Sequence, residues 1–269
     1  MTSNTAMARV LIVAGSDSGG GAGVQADIKT VTALGAYAAT AITAITVQNT
    51  LGVSAVHPVP VRTVIAQISA VLGDIGADAI KTGMLASGEV IDTVFSLLRR
   101  EASGIPLVVD PVMVAKGGAA LVDKDAILAM KQRLLPIATL ITPNLPEAET
   151  LLGRKIATVQ AMREAMPDLL ALGARAVLLK GGHLSGDWIV DMYQGPEGAH
   201  EWNDTRIETL HTHGTGCTLA SAVATGLAQG LRAIDSISRA RAFVRRAIET
   251  APGFGRGHGP LNHAHTVRP

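Results

Sequence analysis

The chain has 269 residues, 48% of them hydrophobic, which is ample for a packed core and excludes intrinsic disorder. With 23 Lys and Arg against 22 Asp and Glu the formal charge is +1, and only 3% of residues are aromatic. Neither a basic stripe nor a stacking platform for nucleic acid is available, so a small-molecule partner is expected.

The predicted elements alternate from one end to the other. Strands are expected at 9–14, 40–48, 79–82, 107–110, 140–142 and 176–180. Between them, helices are expected at 23–34, 61–72, 89–100, 123–134 and 158–172, the last broken near Pro167 because proline lacks a helical donor. A strand pair at 188–193 and 201–210 follows, antiparallel or at an edge, and helices at 218–229 and 235–251 close the domain. This rhythm is that of an α/β fold with a mostly parallel sheet and crossover helices. We expect a loose tail at 1–8, one domain over 9–269, and an extended glycine-rich finish from Pro252.

The lone cysteine, Cys217, cannot form an intrachain disulfide, and no Cys/His cluster has zinc spacing, so a reducing cytoplasm is the expected setting. The apolar run 10–14 falls short of a signal-peptide core of about 7–15 residues. The stretch 30–61 lacks Lys, Arg, Asp and Glu, yet it is rich in Thr, Ala and Gly and carries Gln48 and Asn49, too polar for a membrane span.

In open α/β sheets ligands bind beyond the carboxyl ends of strands, so the residues following each strand are the place to look. Five glycines in Gly15-Ser16-Asp17-Ser18-Gly19-Gly20-Gly21-Ala22-Gly23 let a ligand approach the backbone at a helix start, or simply make a tight turn. The dinucleotide pattern G-x-G-x-x-G fails at Val24, and no G-x-x-x-x-G-K-[ST] occurs. Asp27 is either a ligand-binding acid or a carboxylate complementing the helix dipole. Gln48 and Asn49 can each donate and accept, which suits the edge of a heterocycle, although such pairs also serve turns. Met84 suits a flat ring or the core.

Asp110 and Glu147 sit at strand ends where carboxylates can hold Mg²⁺ through its waters, while Glu147 also reads as a helix N-terminal acid. Lys180, followed by Gly181-Gly182-His183, could meet a phosphate or stand solvated at the surface. The segment His213-Gly214-Thr215-Gly216-Cys217-Thr218 leads glycines into a small-residue helix, whose unpaired N–H groups would make an anion hole. Cys217 there is a small buried hydrophobe, or a base or nucleophile whose pKa the helix start lowers.

Residues 14–27 taken with Thr46-Val47-Gln48-Asn49-Thr50, Asp110-Pro111-Val112-Met113, Lys180-Gly181-Gly182-His183 and 213–218 closely resemble the hydroxymethylpyrimidine/phosphomethylpyrimidine kinases of thiamine biosynthesis. That resemblance spans nearly the whole chain. It implies a ribokinase-like, three-layer α/β/α fold and a homodimer. It also implies ATP- and Mg²⁺-dependent phosphorylation of 4-amino-5-hydroxymethyl-2-methylpyrimidine and then of its monophosphate.

Carried over by position, Gln48 reads the pyrimidine edge, and Gly15, Ala22, Asp27, Met84 and Val112 surround the ring. Cys217 takes the place of the carboxylate base of sugar kinases. Gly214, Thr215 and Gly216 form the anion hole, Asp110 and Glu147 lie near Mg²⁺, and Asn144 and Lys180 lie on the nucleotide side. Residues 115–118 fall where the family has a flap, and Lys116 there either touches phosphates or is a plain surface lysine. His258, His263 and His265 are expected to be surface or packing residues. Pyridoxal kinase is the alternative within the same chemistry, and a non-catalytic nucleotide-binding regulatory module is the alternative outside it.

Overall fold

Alternation along the first strand, β1 (Arg9–Asp17), decides the architecture. Leu11 and Val13 are buried in one hydrophobic cluster and Val10, Ile12 and Ala14 in another, so both faces of the strand must be covered. The computed structural model describes residues 6–113 and 123–267. After β1 come α1 (Gly23–Ala33), β2 (Tyr37–Asn49), β3 (Gly52–Pro58), α2 (Val61–Asp74), β4 (Ala79–Thr82), α3 (Gly88–Glu101), β5 (Leu107–Val109) and α4 (Lys124–Ala129). Then follow β6 (Leu140–Ile141), α5 (Leu145–Leu152), α6 (Val159–Leu170), β7 (Val177–Lys180), β8 (Trp188–Gly195), β9 (Gly198–Thr205), α7 (Thr215–Ala228) and α8 (Ala233–Glu249).

The strands form one sheet in the order β3-β2-β1-β4-β5-β6-β7-β8-β9. Pairing is parallel from β2 to β7 and antiparallel at both edges, where β3, β8 and β9 lie. Helices α2 to α6 supply the cluster around Leu11, Val13, Ile80 and Val109. Helices α1, α7 and α8 supply the cluster around Val10, Ile12, Val108 and Leu178. This is the expected three-layer α/β/α arrangement. Ala220, Ala222 and Ala224 of α7 are fully buried, and their small side chains let that helix lie close against the centre of the sheet.

The chain builds the sheet outward from β1 in one direction through β2 and β3, then in the other from β4 onward. The carboxyl ends of β1 and β4 therefore flank the switch point at which such sheets bind ligands.

Several elements differ from expectation for identifiable reasons. Strand β3 has no apolar run to announce it, because Ser54, Val56, His57 and Pro58 are exposed on an edge. Helix α5 has only eight residues, and its signal is the capping box formed by Asn144 and Glu147. Pro167 does not break α6: beyond it, the Ala171 N–H donates to the Pro167 carbonyl at 2.9 Å and the helix runs on. Ala8, assigned to a loose tail, accepts from the Tyr37 N–H at 2.8 Å and extends the β1–β2 pairing. The flap at 115–118, with Lys116, lies outside the described residues.

Candidate active site

The carboxyl ends of β1, β2, β4, β5, β6 and β7 open into one cavity of about 830 Å³, whose remaining walls are the start of α7, residues of β8, β9 and the segment after β9, and one side of α8. At one end it is lined by Gly15, Ala22, Gln48, Met84 and Val112, five of the six residues expected around the ring. A Cβ on Gly15 would lie 2.5 Å from the Met84 methyl group, so a side chain there would require the flexible Met84 thioether to move. This close packing brings the thioether over the floor of the pocket.

Asp27, the sixth, is corrected by the structure. It is fully buried and does not line the cavity. Its carboxylate accepts from Lys81 Nζ at 2.9 and 3.0 Å and from Ser221 Oγ at 2.7 Å. A lysine in the apolar strand β4 needs a charge partner when no water reaches it, and Asp27 on α1 supplies that partner. Burial pulls the Lys81 ammonium down, but Asp27, Cys217 and Asp110 outweigh it and hold Lys81 protonated. Lys81 itself reaches the cavity wall. Sequence reasoning missed this role, although a lysine between Ile80 and Thr82 in a strand with no exposed position was the available signal.

At the other end, Gly214 starts α7 in a left-handed conformation, φ +85°, and a Cβ there would overlap the Gly21 carbonyl oxygen. Glycine is therefore required at the contact between the β1–α1 loop and α7. No side chain caps α7, so the N–H groups of its first turn face the cavity with the positive end of the helix dipole behind them. Lys180, at the end of β7, lies 3.1 Å from Asp110, which also accepts from Thr142 Oγ1 at 3.0 Å. Both point at α7, for a Cβ on Gly216 would lie 3.3 Å from Lys180 Nζ and 3.7 Å from an Asp110 oxygen.

Glu147 sits beside this pair as one half of the α5 capping box: it accepts from the Asn144 N–H at 2.8 Å, and Asn144 Oδ1 accepts from the Glu147 N–H at 2.9 Å. The helix-cap explanation of Glu147 thus holds together with its place at the site. Burial pushes its carboxyl up to about 7, with Asp110 adding to the rise and Lys180 opposing it. A cation between two such carboxylates would relieve that repulsion, so the donor set fits a divalent ion that prefers oxygen ligands.

Cys217 also lines the cavity. Its expected low pKa is not what the structure gives. Burial pushes it up to about 11; Lys81 and the Gly23 N–H favour the thiolate, but Asp27 and Asp110 oppose it. The helix start is outweighed because two carboxylates share the same dry corner.

A second group absent from the sequence-derived site is Asp17, which organises the glycine-rich loop. Its carboxylate accepts from the N–H groups of Gly19, Gly21 and Ala22 at 2.8, 3.1 and 2.8 Å, and lies 2.8 Å from His213 Nε2. Burial alone would push Asp17 up, but His213 and the N–H groups of Ala22 and Gly19 hold it below the ordinary carboxylate range. His263, by contrast, is the packing residue expected: buried, with Nε2 2.9 Å from Thr218 Oγ1.

Residues 17–262 match the family model described as phosphomethylpyrimidine kinase. The chain belongs to that family. It is 47% identical over 258 residues, 95% of this chain and 96% of the relative, to the hydroxymethylpyrimidine/phosphomethylpyrimidine kinase of Rhizobium meliloti. It is 53% identical over 254 residues to the thiamine biosynthesis bifunctional protein ThiED of Geobacter sulfurreducens, covering 94% of this chain but 52% of that protein. This chain thus spans about half of the bifunctional relative. Among solved structures, pyridoxal kinase from Staphylococcus aureus in complex with AMP-PCP and pyridoxal superposes with a TM-score of 0.89 at 35% identity, covering 98% of this chain and 96% of that one. The ribokinase-like fold expected from the motifs is the fold of this chain. No helix among the described residues is long and apolar enough to cross a membrane.

Proposed function

We propose that this chain is the ATP-dependent kinase that phosphorylates 4-amino-5-hydroxymethyl-2-methylpyrimidine and then its monophosphate, giving the pyrophosphate. The observation that carries the reading is that Cys217 lines one cavity together with Gln48, Met84 and Val112, suited to a flat ring, and with Gly214, Thr215, Gly216 and Lys180, suited to a phosphate. Full-length identity to kinases of that name supports the choice of ring.

In this reading the pyrimidine lies against Met84, Gly15, Ala22 and Val112 with its polar edge on Gln48, and its hydroxymethyl group points at Cys217. The γ-phosphate of ATP rests on the first-turn N–H groups of α7, with Lys180 beside it and Asn144 on the nucleotide side. Cys217 acts in its thiolate form, which the neighbouring Lys81 ammonium favours: it takes the hydroxyl proton as the oxygen attacks phosphorus in line, ADP departs, and the thiolate becomes a thiol. Mg²⁺ held by Asp110 and Glu147 would neutralise charge on the β- and γ-phosphates. Positioning carries most of the rate, as in phosphoryl transfer generally.

The setting is the cytoplasm. The exposed Ile45 and Val47 on one face of β2 favour a homodimer over a monomer, which light scattering measures directly. The test of the function is a coupled ADP-release assay with Mg-ATP and the aminopyrimidine, with product masses read at the end. Mono- and diphosphate products are expected in sequence. Monophosphate alone would refute the second step, and no ADP release would refute the kinase.

A further inference from the structure

Gln48 meets two neighbours through its carboxamide, and both contacts constrain which of its ends is the oxygen. One end lies 3.2 Å from His213 Nε2 and the other 3.2 Å from Thr46 Oγ1. The two ends have the same shape, so hydrogen-bond chemistry decides between them. Asp17 already accepts three backbone N–H groups and lies 2.8 Å from the same imidazole nitrogen, so it is an ionised acceptor and His213 Nε2 must carry the hydrogen. A protonated Nε2 cannot also accept from an amide N–H.

At the other end, the single hydroxyl hydrogen of Thr46 is committed to the Ser16 carbonyl at 2.8 Å, leaving only lone pairs for Gln48. A half-turn of the carboxamide satisfies everything at once. Its oxygen then accepts from His213 Nε2–H, shared with Asp17, and its nitrogen donates to Thr46 Oγ1.

We propose that the Asp17–His213 pair, with Thr46, fixes the polarity of Gln48, so that the pocket presents an acceptor on the His213 side and a donor on the Thr46 side. His213 is then a specificity-determining positioning residue. An unconstrained amide could turn over and accept either polarity of ring edge; a clamped one cannot. The matching ligand edge carries an amino group next to an unprotonated ring nitrogen, as a 4-aminopyrimidine does. A 4-oxopyrimidine in its N3–H form sets oxygen against oxygen and N–H against N–H, leaving buried polar groups unpaired.

The inference rests on the kinase reading for its substrate, but not for its geometry. The test compares kcat/KM for the 4-amino substrate and its 4-oxo analogue in the wild type, His213→Phe, His213→Gln and the His213→Phe/Thr46→Val double variant. The wild type should prefer the amino compound by on the order of 10⁴-fold, the range expected for a site built to pair polar groups. His213→Phe removes one of the two partners that hold the amide and should lower that ratio at least about tenfold, the His213→Phe/Thr46→Val double variant, which removes both, should bring it to about tenfold or less, and His213→Gln, which restores an N–H donor, should recover most of the single variant's loss. A His213→Phe variant that loses both activities equally would overturn the proposal. Nitrogen-15 NMR of the unliganded wild type must show His213 protonated at Nε2, and a ring unprotonated there would overturn it whatever the substrate. Absence of turnover with either pyrimidine would count against the kinase reading instead, leaving the NMR result to decide the clamp.

Discussion

Replacing Cys217 by alanine should separate the two phosphorylations. Burial raises the thiol to about 11, so at pH 7.5 Cys217 is overwhelmingly a neutral thiol before substrate binds. A neutral thiol cannot take a second proton, so Cys217 serves as the base only after losing its own proton, in the thiolate form that the Lys81 ammonium favours. A positioned general base is worth about 10² to 10⁴ in rate, and Cys217→Ala should lower kcat for the hydroxymethyl substrate by that much. The second nucleophile is a phosphate oxygen whose group ionises with a pKa near 6, so it is mostly deprotonated at pH 7.5, and the loss there should stay below about tenfold. Removing the sulfur also leaves a small void beside α7, but that disturbance is common to both steps and cancels in their ratio. Rapid-quench single turnovers with each substrate, products separated by mass, give the two rates directly. Equal losses would refute Cys217 as the base and leave it a packing residue.

The buried Lys81–Asp27 pair predicts a stability cycle. Lys81→Met or Asp27→Leu alone should cost about 3–5 kcal/mol in urea denaturation, because each strands a charge with no exposed atom, while the double variant should recover most of it; additive losses would contradict the pairing. His263 predicts acid sensitivity: burial draws its pKa down to about 4 from an ordinary 6.5, so it is neutral in the fold and protonates more readily when unfolded. Its contribution is intact above pH 6.5 and lost as pH falls through 4, worth roughly 3 kcal/mol over that interval. His263→Gln should flatten the stability profile between pH 6.5 and 4, measured by chemical denaturation. Gly214→Ala should cost about 1–3 kcal/mol for its left-handed backbone and more for the overlap with Gly21, lowering Tm and ATP turnover together; a variant with unchanged turnover would show that the α7 start does not hold the phosphate.

Much of the site was legible because its residues follow strands, and a strand's end can be read from where an apolar run meets glycine or a charge. Asp110 and Lys180 announced themselves in this way, Gln48 as an amide closing an apolar strand and Cys217 as the thiol at a glycine-led helix start, and one cavity gathers all four. Asp27 was misplaced because its position one turn into α1 is compatible with facing either the ligand or the interior. Only the arrival of Lys81 from β4 settles that it faces inward. The Asp17–His213 contact joins residues 196 positions apart, and no local pattern announces it. The thiol was misjudged for a related reason: a helix start is visible in sequence, whereas the two carboxylates opposing it come from α1 and from the end of β5. Pro167 and β3 show the limits of local propensity, one tolerated inside a helix and the other an exposed edge strand held by pairing with β2.

The proposed function requires a ring pocket that favours an aminopyrimidine, although a kinase of the same fold is named for pyridoxal. A competition assay with the aminopyrimidine and pyridoxal in one tube, with Mg-ATP limiting and phosphorylated products counted by mass, measures the ratio of kcat/KM values directly. The pyrimidine should win by about a hundredfold or more. A ratio near one, or a preference for pyridoxal, would contradict it.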